Sequence, residues 1–235
     1  MSLLARADHC LIALAELFAD AGEIMVSPMG PLPALAARLA RRTFAPDLLL
    51  TDGVAALVDD DGVVEGQMTY SRVFDTLWNG RRHVVMGASQ LDRFGNQNIS
   101  ALGPHERPTA QLIGARGAPG NTVCHRTSYW VPRHSPRVFV PAVDFVCGVG
   151  TNRGAKGLGG LVTHLGTFDW GGPGGTMRLT ALHPGVTVDE VIAATGFPVA
   201  GVEGAIPTTR APTAAEQALI EAVLDPKGRR AAELG

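Results

Sequence analysis

The sequence predicts an α/β fold, a mostly parallel sheet flanked by helices, in a single domain over residues 1–235. Three observations lead there. Short apolar runs alternate with segments of helical period along the first 90 residues. Runs such as Leu48-Leu49-Leu50 and Val84-Val85-Met86 are apolar without alternation, as strands covered on both faces must be. A stretch dense in Gly, Asn and Pro follows the run ending at Met86, where an α/β fold places its ligands.

The elements follow in order. Leu4, Leu11, Leu14, Ala15 and Phe18 recur at helical spacing, so residues 3–20 read as an amphipathic helix that Gly22 stops. Ile24–Val26 reads as a short strand and Pro28–Pro33 as a turn. A second helix runs over Leu32–Arg42, with Pro33 in its first turn. A buried strand, Asp47–Leu50, ends at Thr51-Asp52-Gly53. Ser71–Trp78 is helical, with Val73, Phe74 and Leu77 on one side, and Arg82–Met86 is a strand entering Gly87-Ala88. Residues 87–121 carry loop chemistry. Val138–Val140 and Phe145–Val146 read as short strands, and some of the glycines between 150 and 175 as turn and bulge positions. Thr187–Ala194 is a helix with a Thr-x-Asp/Glu start, Pro212–Leu224 a terminal helix, and residues from Asp225 a polar tail. No internal repeat and no interdomain linker is visible.

Composition bounds the function. With 46% hydrophobic and 18% charged residues, the chain can bury a sizeable core and is not a disordered polymer. A net charge of -2 offers no electrostatic footprint for nucleic acid or an anionic membrane. Arginine outnumbers lysine heavily, which reads as genomic base composition. The apolar run from Leu3 to Phe18 is broken by Arg6, Asp8, His9 and Glu16, so neither a membrane span nor a signal peptide is expected. Cys10, Cys124 and Cys147 show no C-x-x-C spacing, and no H-E-x-x-H or G-x-S-x-G occurs. A disulfide framework, a metal site and a nucleophile elbow are therefore not expected. The expected location is the cytoplasm.

Three stretches carry the chemistry: Val26-Ser27-Pro28-Met29-Gly30-Pro31-Leu32-Pro33; Gly87-Ala88-Ser89-Gln90-Leu91-Asp92-Arg93-Phe94-Gly95-Asn96-Gln97-Asn98; and Gly114-Ala115-Arg116-Gly117-Ala118-Pro119-Gly120-Asn121. In content and order they resemble the beta subunit of class I coenzyme A transferases over about residues 10–200. There the middle stretch reads roughly Gly-Ala-x-Gln-Val-Asp-x-x-Gly-Asn-x-Asn. The resemblance implies a CoA-transferase-like (NagB/RpiA-like) architecture. It also implies a loop beside a reacting thioester, where developing negative charge needs backbone N–H donors. It makes Gly117 the candidate oxyanion donor, with Ala118, Gly120, Asn121, Asn96 and Asn98 as candidate substrate contacts. His125, Arg126 and Tyr129 follow the loop closely, so they are candidates for a substrate carboxylate or ketone, or else a contact with a neighbouring subunit. Thr151-Asn152-Arg153-Gly154 is either a CoA phosphate contact or a surface turn. Cys124 beside His125 is poorly placed for a nucleophile–base pair, and His164, Asp169 and His183 read as structural hydrogen-bonding groups.

One departure is informative. The transferases carry a nucleophilic glutamate on a Ser-Glu-Asn-Gly turn after an early strand. Here the matching turn is Thr51-Asp52-Gly53-Val54, shorter and without glutamate. This resembles the branch of CoA-transferase-like hydrolases that open the last steroid ring in bacterial cholesterol breakdown. Membership of that branch implies a retro-Claisen-like C–C cleavage of a cyclic ketone acyl-CoA. It also implies an alpha partner that supplies the essential glutamate, an alpha2beta2 assembly, and CoA present only as part of the substrate. Two other readings stay open: a true transferase with Asp52 as carrier, and a non-catalytic acyl-CoA-binding scaffold or sensor.

Overall fold

The computed structural model describes the backbone of residues 1–235 and the side chains of all of them except Tyr70, Phe74, Thr76 and Leu77. Strands β1 (Ile24–Pro28), β2 (Leu48–Leu50), β5 (Arg82–Met86), β6 (Arg126–Val131) and β7 (Leu158–Thr163) lie parallel in one sheet. Between β2 and β5 the chain forms an antiparallel hairpin of β3 (Ala56–Val58) and β4 (Val64–Gln67), apart from the main sheet. Two antiparallel strands, β8 (Gly166–Asp169) and β9 (Arg178–Leu182), extend the sheet to the order β9-β8-β7-β6-β5-β1-β2. The expected α/β class, with a mostly parallel sheet between helices, is what the chain adopts.

The apolar runs have no alternation because the sheet separates two cores. Val26, Val85, Trp130 and Val162 enter one; Val84, Met86, Tyr129 and Leu161 enter the other. Adjacent Val84 and Val85 are both fully buried on opposite faces, each contributing about 1.5–3 kcal/mol of transfer free energy. The first core is closed by α1 (Leu3–Glu16) and α2 (Pro31–Thr43), which pack on each other. Ser2 caps α1 through the N–H of Ala5, and Pro31 opens α2 where no N–H is needed. The basic last turn of α2 is anchored outside the sheet: Arg41 and Arg42 pair with Asp60 and Asp61 of the β3–β4 turn.

Helix α3 (Tyr70–Asn79) occurs where the sequence places it, but the facing of Phe74 and Leu77 lies outside the described residues. The stretch 87–121 is a loop with two small two-residue ladders, and it ends in α4 (Ala118–Cys124), which the loop chemistry hid. The strands expected at Val138–Val140 and Phe145–Val146 are not formed: Phe139 makes a single isolated bridge to Leu91. The strands lie instead at β7 to β9. There Gly159 and Gly160 form a bulge, the two of them opposite Ser128 of β6, and an added Cβ would lie 2.3 Å from Ser128 Oγ and 2.5 Å from Leu17 Cδ2. Gly154, Gly174 and Gly175 do serve turns, at positive φ.

Helix α5 (Val188–Ala193) starts on a full capping box between Thr187 and Glu190. The terminal helix α6 (Ala214–Leu219) continues as a π-helical turn over Ile220–Leu224. Residues from Asp225 do not trail as a polar tail. Arg230 is buried between Asp8 and Asp225, and Glu233 accepts from the N–H of Leu32 (3.0 Å) and Trp130 Nε1 (3.2 Å). The C-terminus thus fastens α1, α2 and β6 together.

Candidate functional site

A cleft of about 540 Å3 opens where β1, β2 and β5 end, between their loops and α4. Met29, Val54, Val73, Met86, Ile99 and Ile113 give it apolar walls. Its polar lining includes Arg82, Ser89, Gln97, Arg116 and Asn121, and Asp52 is the only carboxylate among the described residues that line it.

Arg82 sits on the inner wall. The period of two along β5 puts it on the face of Val84 and Met86, and the parallel register places Ser27 of β1 on that same face. Its guanidinium is held by two neutral acceptors: Nε donates to Ser27 Oγ (2.7 Å) and Nη1 to Asn121 Oδ1 (2.9 Å). Burial lowers its pKa to about 10, still charged at neutral pH. Ser27 is itself fixed by Thr51, whose hydroxyl donates to the carbonyl of Val26 (2.8 Å) and lies 3.4 Å from Ser27 Oγ. Gln97 also lines the cleft; its Nε2 donates to the carbonyl of Gly87, and its buried Oε1 has no hydrogen-bond partner among the described residues.

Asp52 stands at the rim as a turn former. Its Oδ1 accepts from the N–H groups of Val54 (2.8 Å), Ala55 (2.9 Å) and Ala56 (3.1 Å). Gly53 must follow it: φ is +85°, and a Cβ there would meet the carbonyl oxygen of Pro28 at 2.5 Å. The turn therefore docks directly on the β1–α2 loop.

The glycine loop forms the opposite side. Gly114 and Arg116 both have positive φ, turning the chain sharply into Gly117, the N-cap of α4. Of the sequence candidates for substrate contact, Gly117, Ala118 and Asn121 line the cleft. The N–H of Ala118 is already bonded to the Ala115 carbonyl (3.0 Å). Gly120 lies in α4 outside the lining. Asn96 and Asn98 are placed elsewhere, as buried braces of their own loop. Asn96 bonds Asp92, Asn152 and the N–H of Gly150; Asn98 bonds Gln90, Ala101 and Ser100. His125 caps the far end of α4, and Arg126 is exposed at the start of β6; neither lines the cleft. Thr151 of the Thr151-Asn152-Arg153 turn bonds back to the carbonyl of Gly175. Arg82 is the functional candidate that sequence patterns do not single out. Its one signal is an arginine opening a strand that is buried along its whole length.

No family model matches the chain. Individual proteins do. The chain is 52% identical to the IpdB subunit of the cholesterol ring-cleaving hydrolase of Mycobacterium tuberculosis, over 97% of this chain and 98% of that one. It is 31% identical to one of the subunits of the 3-oxoadipate CoA-transferase of Pseudomonas knackmussii, over 87% and 86% of the two chains. It superposes on the crystal structure of Rhodococcus jostii RHA1 IpdAB with a TM-score of 0.92, at 50% identity and covering 98% of each chain. The chain belongs to the CoA-transferase beta-subunit family. In this chain the turn at Asp52 and the loop at Gly117 both line the cleft. The stretch from Val26 joins them there through Ser27, Met29 and Gly30, and the one from Gly87 through Gly87, Ala88, Ser89 and Gln97.

Proposed function

We propose that this chain is the beta subunit of a heteromeric CoA-ester hydrolase that opens a cyclic ketone acyl-CoA by C–C cleavage, the last steroid ring in cholesterol breakdown. It works with a CoA-transferase-like alpha subunit, in an alpha2beta2 assembly in the cytoplasm. The high identity to IpdB subunits along the whole chain supports the substrate class. No described helix is long and apolar enough to cross a membrane, and all three cysteines are free, which fits a reducing compartment.

One observation carries the mechanism: the only carboxylate in the described lining is tied into its own turn by three N–H donors. All three donors engage Oδ1 alone, yet they pin this short carboxylate into its own turn at the rim; a covalent acyl carrier must bring an oxygen to attack distance, and that anchoring works against it. The catalytic glutamate then comes from the alpha subunit and acts as a base on water. Water adds to the ring ketone, and its proton passes to that base. The tetrahedral oxyanion collapses to a carboxylic acid, breaking the bond to the carbon next to the thioester. The electron pair rests there as a thioester enolate and is then protonated. This chain provides the apolar cleft, and the Gly117 N–H is the donor for the developing oxyanion. CoA takes part only as the carrier of the substrate.

The test is to incubate the two-subunit complex with acyl-CoA and trap with borohydride or hydroxylamine. The expected result is hydrolysis with no covalent mark on Asp52. A modified Asp52 would support the transferase reading instead.

A further inference from the structure

We infer that Arg82 is a recognition site for a free carboxylate carried on the acyl part of the CoA ester, away from the thioester. The inference deepens the proposed hydrolase reading and rests on it for the identity of the substrate. Its observations are those of a buried cation without a counter-ion. Arg82 is only 5% exposed, yet lines the cleft. Its two hydrogen bonds go to a hydroxyl and an amide oxygen, both neutral. No carboxylate of this chain lies within ion-pair distance among the described residues, unlike Arg230, which is buried between Asp8 and Asp225. Nη2 is the one guanidinium nitrogen of Arg82 with no protein acceptor among the described residues.

Each feature narrows the ligand. A buried charge left uncompensated is costly, so the cleft favours an occupant bringing one negative charge. Ser27 and Asn121 fix the guanidinium plane in advance, so little rotamer freedom is lost when an anion arrives. With Nε and one Nη1 proton committed, the group offers footing for a single carboxylate. The apolar walls, Met86 and Ile99 among them, suit the hydrocarbon that joins such a carboxylate to the ring. The multiply charged, strongly hydrated phosphates of CoA fit this lining poorly.

The experiment uses the intact two-subunit complex and two synthetic ligands: a cyclic ketone acyl-CoA with a carboxylate side chain, and its carboxamide counterpart. Binding is measured by calorimetry and turnover separately, for wild type, Arg82→Lys and Arg82→Gln. The wild type is expected to bind the carboxylate on the order of 30- to 100-fold more tightly than the amide. Arg82→Gln brings the two to within about threefold, chiefly by weakening the carboxylate, and Arg82→Lys keeps part of the preference. Equal loss of both ligands in Arg82→Gln, or a wild type that does not distinguish them, overturns the inference. If Arg82→Gln does not assemble, Ser27→Ala replaces it. Loosening the guanidinium is then expected to shrink the preference, and an unchanged preference counts against the proposal. Failure of the wild type to hydrolyse either ligand would count against the hydrolase reading alone, since the calorimetric preference stands without turnover.

Discussion

At the scale of single residues, Asp52 and Arg82 show opposite uses of charge in one cleft. Asp52 is exposed and held by its own turn, whereas Arg82 is buried and held by neutral neighbours. Replacing Asp52 by Asn keeps an acceptor for the turn. We expect the complex with Asp52→Asn to retain most of its kcat, within about fivefold, where loss of an essential nucleophile costs 10^3-fold or more on the order of triad deletions. A steady-state assay decides it. The role of Arg82 is legible in the sequence only as an oddity, a charged residue opening a buried strand. What holds it, Ser27 and Asn121, lies 55 and 39 residues away in the chain, and no local pattern reports such a meeting.

Elements are legible where periodicity is strong and obscured where packing overrides it. The helices at both ends of the first core and the strands at Ile24, Leu48 and Arg82 follow from apolar spacing alone. Strand β7 does not, because its glycines are legible as turn or bulge residues but not as part of a strand, until Gly159 and Gly160 are seen as a bulge pressed by Ser128 and Leu17. The Gly117 loop is legible as a ligand loop, but α4 is hidden by a start containing Pro119 and Gly120. Asn96 and Asn98 lie in the family stretch and still face their own loop, since asparagine braces turns as readily as it binds ligands. Gly53 gives a test at this scale. Gly53→Ala must adopt positive φ and push Pro28 aside, so it is expected to cost about 2 kcal/mol or more. Denaturant unfolding of the complex measures this. Glu233 gives a second. Glu233→Ala leaves the Leu32 N–H and Trp130 Nε1–H without their acceptor, with an expected loss of about 1–3 kcal/mol by the same method.

The whole molecule carries its acid sensitivity in buried imidazoles. Burial holds His83 and His134 near a pKa of about 3 and His183 near about 4; the Arg126 charge adds to the effect at His83. All three are neutral in the folded chain at mild acidity and charged in the unfolded one below about pH 6.5. The unfolded state therefore binds more protons, and stability is present above that pH and falls as pH drops toward the folded values. The slope approaches about 1.4 kcal/mol per pH unit for each histidine. Glu216 acts in the same direction lower down: its ion pair with Arg210 depresses its pKa to about 2, and that stability is lost between about pH 4.5 and 2. Denaturation midpoints from neutral to about pH 4.5 should fall steadily; a flat profile would contradict this account.

At the same scale, the chain forms one half of the proposed active site. Its exposed apolar residues include Met29, Val54 and Ile113 at the cleft. These are surfaces a partner would cover while delivering the missing carboxylate. The direct measurement is hydrolysis of a cyclic ketone acyl-CoA by the purified chain, by the purified alpha partner, and by the two mixed. Ring opening is expected only in the mixture, and is expected to be abolished when the glutamate proposed for the partner's active loop is replaced by alanine. Full activity of this chain by itself would contradict it.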